Sequence, residues 1–319
     1  MKVSKEMLHP SLQSIYGILR FQTWVMKRTA LRNFFDKLVR KLTQGKDLPG
    51  LACDERYIDS SEDEYKIRVR TYRPEGDHTS LPAMIYIHGG GYVMGLPESG
   101  PSILEQFIAA RPCMIIAPDY RKAGTKPYPA GLNDCYDTLL WAKNNAEELG
   151  IRADRFMIAG HSAGGGLTAA VTLKARDTGE ADIAFQMPIY PMIDDQQPTD
   201  PNRSVETVVW DTELNAIGWN AYLADLREAG AEIPAYAAPA RNQDYQDFPP
   251  TITFVGDMEP FYQETVAYVG ALQAAGIDVA FKEFQGCFHA FDFFNKEVSQ
   301  EAIEFTYGQF AEFYDRYVR

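Results

Sequence analysis

Gly160-His161-Ser162-Ala163-Gly164 is a G-x-S-x-G pentapeptide directly behind the apolar run Phe156–Ala159, and helix-forming residues follow from Gly165. A serine hydroxyl attacks a carbonyl usefully only when a base takes its proton and donors await the oxyanion. A tight strand-to-helix turn provides that setting. It strains the serine backbone, lifts the hydroxyl clear of the sheet, and requires small residues two positions to either side. Gly160 and Gly164 meet the requirement. The Ala163 amide would open the following helix, where an oxyanion is favoured. The spacing predicts Ser162 as the nucleophile of a serine hydrolase.

The base must come from His9, His78, His88, His161 or His289. His9 lies in an N-terminal arm and His78 in a polar loop. His161 adjoins the serine and cannot easily curl back onto its hydroxyl. His88 ends a strand and opens the run His88-Gly89-Gly90-Gly91-Tyr92, so it is read as a brace for that loop. His289 alone follows a late strand, in the loop Gln285-Gly286-Cys287-Phe288-His289. It is the predicted base. The orienting acid is expected one strand earlier, in Val255-Gly256-Asp257-Met258-Glu259-Pro260. The helix and strand in between form a crossover that brings the two loops to one sheet edge. Asp257 and Glu259 both fit. Glu259 is preferred, because its arm is longer and Pro260 fixes the loop behind it. Asp292 is a weaker third candidate, too close in sequence to His289 to approach its ring from behind. The glycine run offers amides without side chains in the way, so Gly90 and Gly91 join Ala163 as oxyanion-hole candidates.

Positioning these residues takes a sheet. Apolar strand runs at 83–88, 114–118, 155–160, 185–190, 251–255 and 278–284 alternate with helical patterns at 101–111, 132–149, 165–175, 263–275 and 299–317. Two further strands, 55–59 and 64–73, suit an antiparallel pair. That rhythm predicts an α/β fold, a mostly parallel sheet with helices on both faces, in one domain spanning 1–319. Two segments stand outside it: about 1–50, helical with a break in the middle, and 194–235, with helix-like pieces near 212–216 and 217–224. They are read as a cap over the carboxyl ends of the strands, where such folds place ligands. Trp210, Trp219 and Tyr222 are read mainly as packing within that cap.

The net charge of −13 repels phosphates and argues against a nucleic-acid partner. It also disfavours anionic substrates. Residues 1–46 oppose it, with ten Lys/Arg and two acids. Because this arm also carries Phe21, Trp24, Phe34, Phe35 and Leu38, two readings arise. It covers part of its own acidic body, the reading preferred here, or it is a membrane-surface helix. There is no run of 18 apolar residues and no signal-like apolar region near the N-terminus, and Cys53, Cys113, Cys135 and Cys287 show no C-x-x-C spacing. A cytoplasmic protein with reduced packing cysteines and no metal is expected. A homo-oligomer is compatible with this sequence.

His88-Gly89-Gly90-Gly91-Tyr92, Asp119-Tyr120-Arg121, Gly160-His161-Ser162-Ala163-Gly164-Gly165, Ile189-Tyr190-Pro191 and Gly286-Cys287-Phe288-His289 occur in that order. Together they resemble the hormone-sensitive-lipase-like family of α/β-hydrolase carboxylesterases, from about residue 65 to the C-terminus. The resemblance implies hydrolysis of small-molecule esters of short to medium acyl chains, without metal or organic cofactor, beneath a helical cap. It implies Ser162 as nucleophile, His289 as base, and the Gly90, Gly91 and Ala163 amides as oxyanion donors. The family commonly has Asp-Pro where this chain has Glu259-Pro260, which strengthens Glu259 as the acid. It also commonly continues Asp-Tyr-Arg with Leu-Ala-Pro-Glu, where this chain has Lys122-Ala123-Gly124-Thr125. The competing expectations are a ligand-binding protein that has lost catalysis on the same scaffold, and an amidase or peptidase with the same triad.

Overall fold

Runs such as Met84-Ile85-Tyr86-Ile87 and Met114-Ile115-Ile116-Ala117 leave no polar face, so they can be satisfied only mid-sheet, beneath helices on both sides. A computed structural model of the chain describes residues 1–76 and 79–318; His78 therefore lies outside the described residues. The strands are β1 (Leu51–Asp59), β2 (Lys66–Pro74), β3 (Leu81–Ile87), β4 (Met114–Pro118), β5 (Ile151–His161), β6 (Ile183–Ile189), β7 (Thr251–Gly256) and β8 (Val279–Phe284). They form one sheet in the order β1-β2-β4-β3-β5-β6-β7-β8. From β4 to β8 all neighbours are parallel, while β2 is antiparallel to both β1 and β4.

The helices are α1 (Tyr16–Met26), α2 (Thr29–Thr43), α3 (Pro101–Ala110), α4 (Ala130–Asn144), α5 (Ala146–Leu149), α6 (Ala163–Thr178), α7 (Thr212–Tyr222), α8 (Ala224–Glu228), α9 (Tyr262–Ala274) and α10 (Glu297–Tyr317). Two expected boundaries move. The helical pattern at 132–149 is split at Asn145, whose side-chain amide donates to the Trp141 carbonyl at 2.8 Å and competes with the backbone ladder. The pieces near 212–224 merge instead into α7, because Asp211 caps its start by accepting from the Leu214 amide at 3.1 Å.

The N-terminal arm and the 194–235 segment are tied together. Val3 N donates to the Glu206 carbonyl at 2.9 Å, and Val209 N to the Thr23 hydroxyl at 2.7 Å. Helix α2 docks unusually. Arg32, Asp36 and Arg40 recur one turn apart on its inner side: Arg32 is buried, Asp36 accepts from the Gly95 amide at 2.9 Å, and Arg40 pairs with Asp119 at 2.6 Å. Leu31, Phe34, Phe35, Leu38 and Leu42 are exposed. The arm does cover its own body: its first part buries Val3, Leu8, Leu12 and Leu19, whereas α2 docks through its polar stripe, the reverse of the ordinary amphipathic arrangement.

Candidate active site

Strand β5 ends against α6 at Ser162, whose backbone adopts φ 60° and ψ −122°, a conformation non-glycine residues avoid. The surroundings impose it. A methyl group at Gly160 would sit 2.4 Å from the Gly164 carbonyl oxygen, and one at Gly164 would sit 2.1 Å from that of Ile87. The flanking glycines are therefore a packing requirement of the turn against β3.

His289 Nε2 lies 2.9 Å from Ser162 Oγ. On the other edge of the ring, Nδ1 is hydrogen-bonded to Glu259 Oε2, and Glu259 Oε1 accepts from the Gly256 amide at 3.1 Å. Tyr190 and Phe261 meet the imidazole edge-on, with ring centroids 4.8 Å and 4.9 Å away. All three polar residues are buried. The crossover β7–α9–β8 brings the Glu259 and His289 loops together, as the sequence predicts.

The other carboxylates have different partners. Asp257 Oδ1 accepts from the Gly286 and Cys287 amides at 2.6 Å and 3.3 Å, which fixes the turn that carries the histidine. Asp292 accepts from the Tyr190 hydroxyl at 3.0 Å, and burial raises its carboxyl to about 7. His161 meets the Tyr86 hydroxyl at 3.2 Å; burial, helped by His289, pushes it down to about 3, so it stays neutral. His9 joins the arm to the same turn, its amide donating to the Gly286 carbonyl at 2.8 Å.

Among the described residues, the Gly90, Gly91 and Ala163 amides donate to no protein acceptor. Gly90 and Gly91 have φ of 124° and 58°, and a methyl on Gly91 would strike the Trp210 ring at 2.1 Å. Behind this loop His88 stacks on Tyr120 at 4.4 Å. Its Nδ1–H donates to the Gly89 carbonyl at 2.7 Å, and its Nε2 accepts from Lys122 Nζ at 3.1 Å. Burial, then the lysine charge, hold His88 well below the ordinary imidazole range. Lys122 also reaches Asp119 at 3.2 Å. Burial opposes the Asp119 charge, but Arg40 and Lys122 outweigh it and keep the carboxyl low. Lys122, a departure from the family pattern, thus serves as the post on which the glycine loop rests. Its backing role was not legible from the sequence.

Ser162 and His289 open into a cavity of about 620 Å³, also lined by Gly89, Gly90 and Gly91. Its roof comes mostly from α1 and α2, through Ile18, Phe21, Val25, Met26, Phe35 and Val39. The 194–235 segment adds Val209 and Trp210, while Trp219 and Tyr222 pack around Tyr92.

A family model described as alpha/beta hydrolase fold matches residues 84–293. The chain belongs to that family. Within it, the hormone-sensitive-lipase-like resemblance of the motifs is borne out, and the enzyme class is carboxylic ester hydrolase. Carboxylesterase NlhH of Mycobacterium tuberculosis is 31% identical over 237 residues, which cover 73% of each chain. Among solved structures, a bacterial heroin esterase superposes with a TM-score of 0.86 at 27% identity, covering 98% of this α/β-hydrolase and 99% of the other chain. A hyperthermophilic esterase from the archaeon Pyrobaculum calidifontis gives a TM-score of 0.80 at 26% identity, covering 96% and 98%. Among the described residues no helix is long and apolar enough to cross a membrane.

Proposed function

We propose that this α/β-hydrolase cleaves carboxylic esters of short to medium acyl chains through an acyl-enzyme. The supporting observation is one row of contacts, Glu259 to His289 Nδ1 and His289 Nε2 to Ser162 Oγ at 2.9 Å, at the floor of a mainly apolar cavity. His289 takes the Ser162 proton as Oγ bonds to the ester carbonyl carbon. The displaced carbonyl electron pair becomes an oxyanion, received by the Gly90, Gly91 and Ala163 amides. Glu259 fixes the Nδ1–H tautomer and stabilises the imidazolium. Collapse of the intermediate breaks the bond to the alcohol, which leaves with the proton from His289. Water then repeats the sequence on the acyl-enzyme and releases the acid.

Ser162→Ala should abolish both hydrolysis of p-nitrophenyl acetate and labelling by a fluorophosphonate. Undiminished hydrolysis by that variant would overturn the assignment. Wild-type protein that neither turns over nor labels would favour the inactive binding scaffold. A p-nitrophenyl ester series of increasing acyl length tests the chain-length range, and an amino-acid anilide tests the amidase alternative.

A further inference from the structure

Arg32 is the one Lys or Arg among the described residues that line the catalytic cavity. It is buried, at 5% exposure, and no carboxylate pairs with it among the described residues. Its Nη1 donates to the Met26 carbonyl at 3.2 Å, closing the end of α1, and its Nη2 lies 3.5 Å from the Thr29 hydroxyl. Nε has no hydrogen-bond partner. Asp36, one turn along α2, also lines the cavity, but its carboxylate is committed to the Gly95 amide at 2.9 Å and forms no ion pair with Arg32. Burial lowers the affinity of Arg32 for its proton, with no carboxylate to offset it.

A guanidinium stays charged in a protein. A buried charge without a counter-ion is costly, and a protein retains one most readily where a ligand supplies the opposite charge. The surroundings define that ligand. The cavity that Arg32 lines is mainly apolar, with Val25, Met26 and Phe35 also in its wall. An apolar chain ending in a carboxylate would bury its methylenes against these residues and pair its charge with the guanidinium, whose Nε–H has no other partner.

Resting on the esterase reading above, we propose that Arg32 selects esters that carry a free carboxylate remote from the scissile bond, such as half-esters of dicarboxylic acids. The acidic charge of the whole chain disfavours such substrates in bulk, but within the cavity the local cation decides, because a desolvated pair is screened little by solvent and salt.

The test compares p-nitrophenyl hydrogen glutarate with p-nitrophenyl butyrate in the full-length protein. Wild type should favour the anionic ester. Arg32→Gln should lower kcat/KM for the anionic ester by about 10- to 100-fold, the range for losing a charge-assisted hydrogen bond, and should change the neutral ester by less than about threefold. Arg32→Lys should restore part of the loss. A purely structural role, closing the end of α1, would lower both esters in parallel and would overturn the proposal. So would a wild-type enzyme that rejects the anion as strongly as Arg32→Gln does. Calorimetric titration of the Ser162→Ala protein with ethyl hydrogen glutarate and ethyl butyrate reads recognition without turnover. Tighter binding of the half-ester, lost with Arg32→Gln, supports the proposal even if the serine mechanism fails; equal binding of the two overturns it.

Discussion

Glu259 and Asp257 stand two residues apart in one loop, yet Glu259 meets the imidazole of His289 while Asp257 holds the Gly286 amide at 2.6 Å. One carboxylate orients the ring and the other orients the turn that carries it. Glu259→Gln should lower kcat on p-nitrophenyl acetate by about 10³- to 10⁴-fold with little change in the melting temperature. Asp257→Asn should reverse the pattern, costing about 1–3 kcal/mol of stability and only a small factor in kcat. Steady-state kinetics and urea unfolding on both variants separate the roles. Equal losses of kcat would refute the division.

Strain at Ser162 can be read by a pair of substitutions. Ser162→Ala and Ser162→Gly both remove the hydroxyl, but only alanine keeps a Cβ at φ 60° and ψ −122°. The glycine variant should therefore be the more stable of the two by about 1 kcal/mol, the strain released less the extra entropy of the unfolded chain. A lower urea midpoint for Ser162→Gly would show that the elbow is relaxed.

Lys122 supports the glycine loop through His88. Lys122→Met removes the donors to His88 Nε2 and to Asp119, at 3.1 Å and 3.2 Å, while Arg40 still holds Asp119. We expect kcat to fall about tenfold, the effect of a misplaced donor on an oxyanion rather than a lost one, with KM nearly unchanged. Stability should fall by about 1–3 kcal/mol. A variant that loses stability but keeps its kcat would make the lysine a purely structural post.

The two titratable groups behind the triad should pull stability in opposite directions with pH. His161 titrates near 6.5 when unfolded but only at about 3 when folded. Between these values the unfolded state binds the extra proton, so stability drops as pH falls from 6.5. Asp292 is the reverse: its ordinary value is 3.8 and burial raises it to about 7, so the folded state holds the extra proton and stability drops as pH rises through that window. His161→Asn should flatten the acid limb of a stability profile. Asp292→Asn should stabilise the protein at pH 8 by about 1–3 kcal/mol, allowing for the residue's partial exposure, and change little at pH 4. Urea midpoints at pH 4, 6 and 8 check both signs.

The alternation of strands with helices and the elbow are legible because each rests on local rules. Gly160 and Gly164 flank a turn whose geometry is set within five residues, and the apolar runs of β3 to β7 can be buried only one way. The choice between Glu259 and Asp257 was less legible, since both lie in one loop and a single rotation of the backbone decides which faces β8. The support from Lys122 was hidden altogether, because it joins segments whose contact depends on the packing of β4 against β3.

What the sequence by itself determined is the setting of Ser162, whose turn, facing histidine and glycine loop are encoded by residue type and spacing. What only the tertiary structure decided is which way helix α2 faces. Periodicity marks Leu31, Phe34, Leu38 and Leu42 as one stripe and Arg32, Asp36 and Arg40 as another, but a helix can dock by either. The outcome is fixed by partners far away in the chain, Asp119 and the Gly95 amide, which bind the polar stripe, expose the apolar one and leave Arg32 inside the cavity.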